Sequence, residues 1–233
     1  MCSKKLGIMQ PYFFPYIGYW QLMNAVDTYV VYDDVAYIKG GWINRNNILM
    51  NGAKNLITIP LKEASSFKNI NEIELSLNDK GRAKLLKTIT FAYSKAPYFK
   101  EILPIIEKAL AFNTISDVNI FAILSIKEYL GMDTEIVISS NIEKNNDLKA
   151  QDKVLHICEL LGATEYYNAI GGQELYSKED FLAKNINLKF VKTGDIMYNQ
   201  FNKEFVSGLS IIDVLMFNSK DEVNSMLSKY ELV

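Results

Sequence analysis

The sequence predicts an α/β protein built on a Rossmann-like parallel sheet, and two observations favour this class. First, a short apolar run at Leu6–Met9 is followed by a loop, a helical segment over Ile17–Val26 and a second apolar run at Thr28–Tyr32. Two strands joined through a helix favour a parallel pair with a crossover connection. Second, strands and helices alternate again in the second half of the chain. Ligands of such sheets bind at the carboxyl ends of the strands.

A β-hairpin and a run of helices are predicted to interrupt this alternation. Asn51-Gly52, a dipeptide that favours tight hairpin turns, separates apolar segments at residues 48–50 and 56–61. Residues 72–77 predict another extended segment. From residue 79 to 131 apolar side chains recur at helical spacing, which predicts a helical lobe in which Pro104 kinks one helix or begins another.

The second half of the chain predicts a return to strands and helices. The expected elements are a strand at 134–138, a helix at 151–161 ended by Gly162, strands near 165–168 and 186–191, and two last helices beginning at Ser210 and Ser219. We find no internal repeat or clear linker. Residues 1–233 are therefore expected to form a single α/β domain, with the helical lobe as part of it.

Composition and charge exclude several classes of function. The net charge is −2 and the pI is about 5.6, so the chain lacks the broad positive field that binds a phosphate backbone. Cys2 and Cys158 cannot build a disulfide framework, and no set of zinc ligands is present in the sequence. No apolar run suits a signal sequence or a membrane span. We expect a cytoplasmic protein without membrane insertion.

The most distinctive segment is the double-proline loop, Gln10-Pro11-Tyr12-Phe13-Phe14-Pro15-Tyr16, between the first strand and the first helix. Its prolines fix φ and remove N–H donors, which favours a rigid loop. We predict that Tyr12, Phe14 and Tyr16 stack on a base or sugar. The backbone amides of residues 17–19 would bind phosphate, helped by the missing side chain of Gly18. The alternative is an aromatic plug of the core.

The same segment has the spacing of a known catalytic signature. Tyr16-Ile17-Gly18-Tyr19 resembles the HxGH motif of class I aminoacyl-tRNA synthetases and related nucleotidyltransferases, with tyrosine in both histidine positions. This resemblance implies a Rossmann-like sheet of the nucleotidyltransferase (HUP) type. Tyrosine can donate a hydrogen bond to phosphate but is uncharged at neutral pH. The sequence therefore favours a binding role for this segment over adenylyl transfer.

Two carboxylates follow the second strand. Asp33 and Asp34 stand at its expected carboxyl end, where a crevice opens in such sheets. There they could hold a divalent cation, or one of them could orient or deprotonate an amine. The alternative is a turn closed by an Asx hydrogen bond.

A cationic, glycine-containing loop comes next. Lys39 and Arg45 lie on either side of a double glycine, and Asn44 and Asn46 flank the arginine. A guanidinium suits two-pronged recognition of a phosphate or carboxylate, although a surface ion pair would explain it equally well. With the two aspartates, Lys39 and Arg45 complete the candidate catalytic residues, and the two asparagines are candidate binding residues.

Three further features lie in the second half of the chain. Gly171-Gly172-Gln173 follows a predicted strand and could wrap a phosphate or sugar, or form a plain turn. Residues 193–208 make a long polar connection that we interpret as a flap. Ser210 and Asp213 match a capping box, which would explain both side chains without chemistry.

Together these motifs resemble the WbqC-like protein family. The matching segments are residues 9–19, 32–35, 41–46, 171–176 and 205–215, so the resemblance spans nearly the whole chain. Ala36 and Asn47 depart from it, where glutamine and arginine are expected. The resemblance implies a bacterial cytoplasmic enzyme of O-antigen, the polysaccharide of lipopolysaccharide, or of another surface polysaccharide. It carries over no established catalytic residue.

The leading hypothesis is a transferase that joins glycine or another acyl group to the amine of a nucleotide-linked amino sugar. Its expected cofactors are ATP and Mg²⁺. The net negative charge of the chain disfavours a tRNA-linked donor. One alternative is a non-catalytic nucleotide-sugar binding or scaffold protein, supported by the lack of a usable histidine or cysteine nucleophile. Another is a glycosyltransferase with a similar nucleotide-sugar site. A homo-oligomer is compatible with the sequence.

Overall fold

The computed structural model describes residues 3–201 and 204–233. The helices and strands of these residues are β1 Lys5–Met9, α1 Ile17–Asn24, β2 Thr28–Val31, β3 Arg45–Met50, β4 Ala53–Thr58, α2 Asp79–Tyr93, α3 Phe99–Ala109, α4 Ile115–Leu130, β5 Glu135–Ile138, α5 Ala150–Leu160, β6 Glu165–Ala169, α6 Lys178–Ala183, β7 Asn187–Thr193, α7 Ile211–Phe217, α8 Lys220–Leu227 and β8 Tyr230–Leu232. Short 3-10 turns lie at Ile70–Glu72, Ser139–Asn141 and Ile170–Leu175.

Six of the strands form one sheet in the order β5-β2-β1-β6-β7-β8. Every neighbouring pair is parallel except β7 and β8. The Rossmann-like α/β class is thereby confirmed. The chain moves from β1 to β2 in one direction across the sheet and from β6 to β7 in the other. The strand order therefore reverses between β1 and β6, and a crevice opens at the carboxyl ends of strands where such a reversal occurs.

Helices cover both faces of the sheet because alternate strand residues point to opposite sides. On β2, Tyr29 and Val31 belong to the large apolar core that includes α1, α4, α7 and α8. Val30, between them, joins a second apolar core with Ile157 of α5 and Phe181 of α6. Burial on both faces explains why Tyr29, Val30 and Val31 follow one another without a charged or strongly polar residue.

The predicted hairpin is confirmed as a separate two-stranded sheet of β3 and β4. Asn51 and Gly52 form its turn with φ of 52° and 76°. Positive φ at both central residues is the geometry that matches the twist of two antiparallel strands, and asparagine and glycine adopt it most readily.

Of the two alternatives for Pro104, the start of another helix is wrong, because Pro104 lies inside α3, where Ile102 and Ile106 are buried in the core. Two local features differ from the sequence-based expectations. Residues 72–77 make only isolated bridges, such as Leu61 with Leu75, and no regular strand. The edge strand β8 was not predicted, because its three residues are too few to show an alternating pattern.

The predicted helices of residues 79–131 are present as α2, α3 and α4. Ile89, Ile106 and Ile123, one from each helix, are fully buried in the same core as α1. Within the described parts of the chain, no helix is long and apolar enough to cross a membrane.

Candidate functional site

A cavity of about 350 Å³ lies at the carboxyl edge of the sheet, beside the point where the strand order reverses. Met9 from the end of β1, Ala169 from the end of β6 and Thr193 from the end of β7 contribute to its wall. The double-proline loop, the start of α1, Trp42 and Asn46 of β3 form most of the remaining wall, which also includes Gly208 from the connection before α7. We call this cavity the aromatic pocket.

The aromatic pocket is uncharged. Among the described residues, no lysine, arginine, aspartate or glutamate lines it. Tyr16 and Trp42 are 39% and 45% exposed, so each presents part of a ring to the opening. Tyr12 packs against Tyr19 with 5.8 Å between the ring centroids. Such a lining suits a flat, neutral group such as a base or a sugar ring.

The double-proline loop is held through its carbonyl groups, since Pro11 and Pro15 have no N–H to donate. The side-chain amide of Asn119, in α4, donates to the Pro11 carbonyl at 2.9 Å. The indole N–H of Trp20 donates to the Pro15 carbonyl at 3.2 Å. The Tyr19 hydroxyl donates to the Gln10 carbonyl at 3.2 Å.

The centre of the loop is held most tightly. Phe14 has a φ of 44°, a conformation that costs energy for a residue with a side chain. Asn46 Nδ2 donates to the carbonyls of Phe13 and Phe14 at 3.0 and 2.8 Å, and Ser210 Oγ donates to the latter at 2.6 Å. Hydrogen bonds from β3 and from the start of α7 therefore fix this strained turn.

The structure brings five of the predicted binding residues to the pocket wall: Tyr12, Tyr16, Gly18, Tyr19 and Asn46. Other predicted binding residues lie elsewhere. Phe14 is 1% exposed and packs edge-on against Phe13, so its ring offers no face to a ligand. The Asn44 side chain accepts a hydrogen bond from the Tyr37 hydroxyl and donates to the Ile59 carbonyl.

The remaining candidates lie beside the pocket. Gln10 follows β1, and its buried Oε1 receives no hydrogen bond from any described residue. Gly171, Gly172 and Gln173 form part of the 3-10 turn after β6, of which only Ile170 reaches the pocket wall.

Asp34 forms a nearly buried ion cluster with two lysines from distant parts of the chain. Its Oδ2 lies 2.7 Å from Lys144 Nζ and 3.5 Å from Lys153 Nζ, and the Lys144 side chain is only 1% exposed. Burial alone would raise the pKa of Asp34. The hydrogen bond from Lys144 and the charges of both lysines outweigh burial and hold the pKa below its usual value.

Asp33 is also engaged. Its carboxylate accepts hydrogen bonds from the Ser140 backbone N–H at 2.9 Å and from the Ser140 hydroxyl at 2.7 Å. Three of the four carboxylate oxygens of this pair are therefore engaged, and the fourth, Asp34 Oδ1, is buried without a hydrogen-bond partner among the described residues. A single buried oxygen does not make a site for Mg²⁺, which needs several oxygen ligands. No group of three or more metal-ligating side chains occurs among residues 3–201 and 204–233.

Lys39 lies on the loop that carries Trp42 to the pocket, and Arg45 is the first residue of β3. Lys39 is exposed. The Arg45 guanidinium donates to the carbonyls of Gly40 and Gly41, so it holds the glycine turn in place. Neither cation has a carboxylate within ion-pair distance among the described residues.

Sequence reasoning missed the role of Asp213. This residue is fully buried in α7, and its carboxylate accepts hydrogen bonds from Tyr93, Tyr198 and Gln200 at 2.7 to 2.8 Å. Burial raises its pKa despite these three donors. The capping-box interpretation is therefore wrong for Asp213, although Ser210 does cap α7. Two donors come from the 193–208 connection, so Asp213 ties this segment to the core.

At Gly18 the helix α1 lies in close contact with the end of β7, and a substitution can test this contact. A Cβ at this position would lie 2.5 Å from Thr193 Oγ1. We expect Gly18→Ala to lower the free energy of unfolding by about 1–3 kcal/mol through overpacking, despite the better helix propensity of alanine. Urea unfolding measures this change.

A second substitution provides the control for Gly18. Thr193→Ala removes the hydroxyl, so the double variant should recover most of the loss, whereas Thr193→Val keeps the bulk and should not. Equal behaviour of the two double variants would contradict the contact.

Comparison with known proteins extends these observations. A family model described as the WbqC-like protein family matches residues 10–225, which includes nearly all of the pocket wall. The chain belongs to the WbqC-like protein family. This WbqC-like chain is also 29% identical over 220 residues to Uncharacterized protein Rv1507c of Mycobacterium tuberculosis, a match that covers 92% of this chain and 94% of the relative. No solved structure matches the WbqC-like chain significantly.

Proposed function

We propose that this WbqC-like protein is an enzyme of surface-polysaccharide biosynthesis, such as that of O-antigen. It would bind a nucleotide-linked amino sugar and transfer glycine or another acyl group to the sugar amine. The observation that carries the proposal is the uncharged aromatic pocket at the reversal of strand order between β1 and β6. Open α/β sheets bind their ligands at this place.

The pocket wall supplies the contacts that a neutral ring needs. The exposed ring faces of Tyr16 and Trp42 would stack on the ring, and the hydroxyls of Tyr16 and Thr193 would bond to its polar atoms. Burial and the nearby Asp195 carboxylate raise the pKa of Tyr16. Its hydroxyl therefore stays protonated at neutral pH and can donate.

An amine must lose a proton when it forms an amide, so the site needs a base. Asp33 and Asp34, which the sequence favours for this role, already accept hydrogen bonds or ion pairs. Asp195 is exposed, two residues beyond the pocket residue Thr193, and close enough to affect Tyr16. We assign to Asp195 the orientation of the attacking amine and the acceptance of its proton.

Two measurements test the proposal. In a thermal-shift panel of nucleotides and nucleotide sugars, a ligand of the native state should raise the melting temperature. Purified protein with that ligand, glycine, ATP and Mg²⁺ should then yield the glycylated sugar nucleotide, detected by mass spectrometry with release of ADP or pyrophosphate. A panel without any stabilising nucleotide or nucleotide sugar would overturn the proposal.

The Tyr16→Ala variant connects binding to the pocket. Loss of one stacking face should weaken binding of the stabilising ligand by about tenfold, which corresponds to roughly 1.4 kcal/mol. The matched control is Phe67→Ala, which removes a 98% exposed ring outside the pocket and should leave the affinity unchanged. Isothermal titration measures both, and equal affinities for the two variants would contradict a role for Tyr16.

A non-catalytic binding protein of polysaccharide assembly is the second candidate. It is supported by two side chains that could act as nucleophiles but are not free to react. Cys158 is buried with a raised pKa, and Asp34 is ion-paired. This candidate predicts tight nucleotide-sugar binding without turnover of any acyl donor. A glycosyltransferase would instead move the sugar itself to an acceptor, which the same mass spectra would reveal.

A further inference from the structure

The side of the aromatic pocket nearest the β3–β4 hairpin carries a cation, Lys54, that belongs to none of the sequence motifs described above. Gly208, which lines the pocket, has a φ of 64° and no side chain. The Lys54 ammonium, from β4, lies 3.1 Å from the position that a Cβ on Gly208 would occupy. The missing Cβ is therefore what allows the ammonium to approach the pocket wall.

The charge on Lys54 is not compensated. No carboxylate of the described residues lies within ion-pair distance of it, whereas Lys62 and Lys68, from the segment just after the hairpin, each pair with a glutamate. Arg45, at the start of the same hairpin, bonds only to carbonyl groups. The hairpin side of the pocket is thus positive beside an uncharged interior.

We propose that Lys54 binds the phosphate of a ligand whose neutral ring occupies the aromatic pocket, so that the diphosphate of a nucleotide-linked sugar leaves the pocket past Gly208 toward the hairpin. The inference rests on the proposed function and adds the orientation of its substrate. An uncharged pocket cannot neutralise a diphosphate, and a lysine ammonium is a suitable point charge for it. The amine end of the sugar would then lie toward Asp195.

Isothermal titration with the full chain tests this orientation. The probes are a panel of nucleoside diphosphate sugars that includes UDP-N-acetylglucosamine, together with the uncharged nucleosides and free sugars that compose them. Lys54→Met should weaken binding of the diphosphate probe by about tenfold or more, because a hydrogen bond to a charged group is lost. Binding of the uncharged fragments should stay unchanged, and the difference between variants should shrink at high salt.

Three further variants complete the test. Lys87→Met removes an exposed lysine of α2 that makes no ion pair with any described residue, and it should leave all affinities unchanged. Lys54→Arg should retain most of the affinity. Gly208→Ala should weaken binding of the diphosphate probe more than that of the uncharged fragments, because the new methyl group forces the ammonium to move, whereas the strain of alanine at a φ of 64° affects all probes alike.

The outcomes separate this inference from the proposed function. Wild-type protein that binds no member of the panel overturns the proposed function and the inference with it. If the wild type binds a diphosphate sugar and Lys54→Met binds it with the same affinity, the inference alone is overturned. If Lys54→Met lowers the affinity for the uncharged fragments as much as the affinity for the diphosphate probe, the inference is also overturned, since phosphate recognition would not explain such a loss.

Discussion

Replacing Asp34 by alanine should lower the free energy of unfolding by about 3–5 kcal/mol, because the substitution leaves a buried ammonium without its counter-ion. Lys144 is 1% exposed, and Asp34 is the only described carboxylate within ion-pair distance of it. Urea unfolding followed by circular dichroism measures the change. A loss below about 1 kcal/mol would contradict the ion cluster.

Two controls define the origin of this loss. Glu63→Ala breaks the exposed Lys68–Glu63 pair at 3.4 Å and should cost less than about 1 kcal/mol. The double variant Asp34→Leu with Lys144→Met removes both charges and should recover most of the stability. Loss of activity in Asp34→Ala alone would therefore not identify Asp34 as a catalytic residue.

The pH dependence of stability offers a second measurement of the same cluster. The pKa of Asp34 in the folded chain lies below its ordinary value of 3.8. Its ion pairs therefore contribute stability that is fully present above pH 3.8 and is lost as the pH falls through the lower, folded pKa. Below pH 3.8 the wild type should lose stability more steeply than the double variant.

Asp213→Ala should have an effect of similar size for a different reason. The substitution removes the acceptor of the Tyr93 and Tyr198 hydroxyls and of one N–H of Gln200, at a place where Asp213 and Tyr93 are fully buried. Each unsatisfied buried donor costs about 1–3 kcal/mol, so we expect a loss of about 3–5 kcal/mol after partial relaxation. The urea midpoint measures this loss.

Asp221→Ala is the matched control for Asp213. Asp221 lies exposed in the first turn of α8, where a carboxylate interacts only with the helix dipole. Its removal should cost at most about 1 kcal/mol. Similar losses for the two variants would contradict the assignment of Asp213 as a buried acceptor.

The parts of the fold that the sequence could predict are those that depend on residues close to one another along the chain. The apolar runs of β1 and β2 identified the first parallel pair, and Asn51-Gly52 identified the hairpin because its turn needs positive φ twice. The motif around Tyr16 and Gly18 identified one wall of the pocket.

The rest depends on contacts between residues far apart in the chain. The Asp34–Lys144 pair joins the segments that follow β2 and β5, so no local pattern reveals it. Ser210 and Asp213 have the spacing of a capping box, which is a local pattern. Nearly all of α7 is buried, however, and Asp213 is buried with it. The signal was available: Asp213 is the one charged residue in the apolar stretch from Leu209 to Phe217, which favours a buried, hydrogen-bonded role.

The fixed double-proline loop has a consequence for the kinetics of ligand binding. Phe14 keeps its strained backbone because Asn46 and Ser210 hold its carbonyl, so that wall of the pocket already has its final shape before a ligand arrives. Association should then be a single step, with an observed rate that rises linearly with ligand concentration. In an Asn46→Ala variant, stopped-flow traces should instead show a rate that saturates, as the loop must first return to its binding conformation.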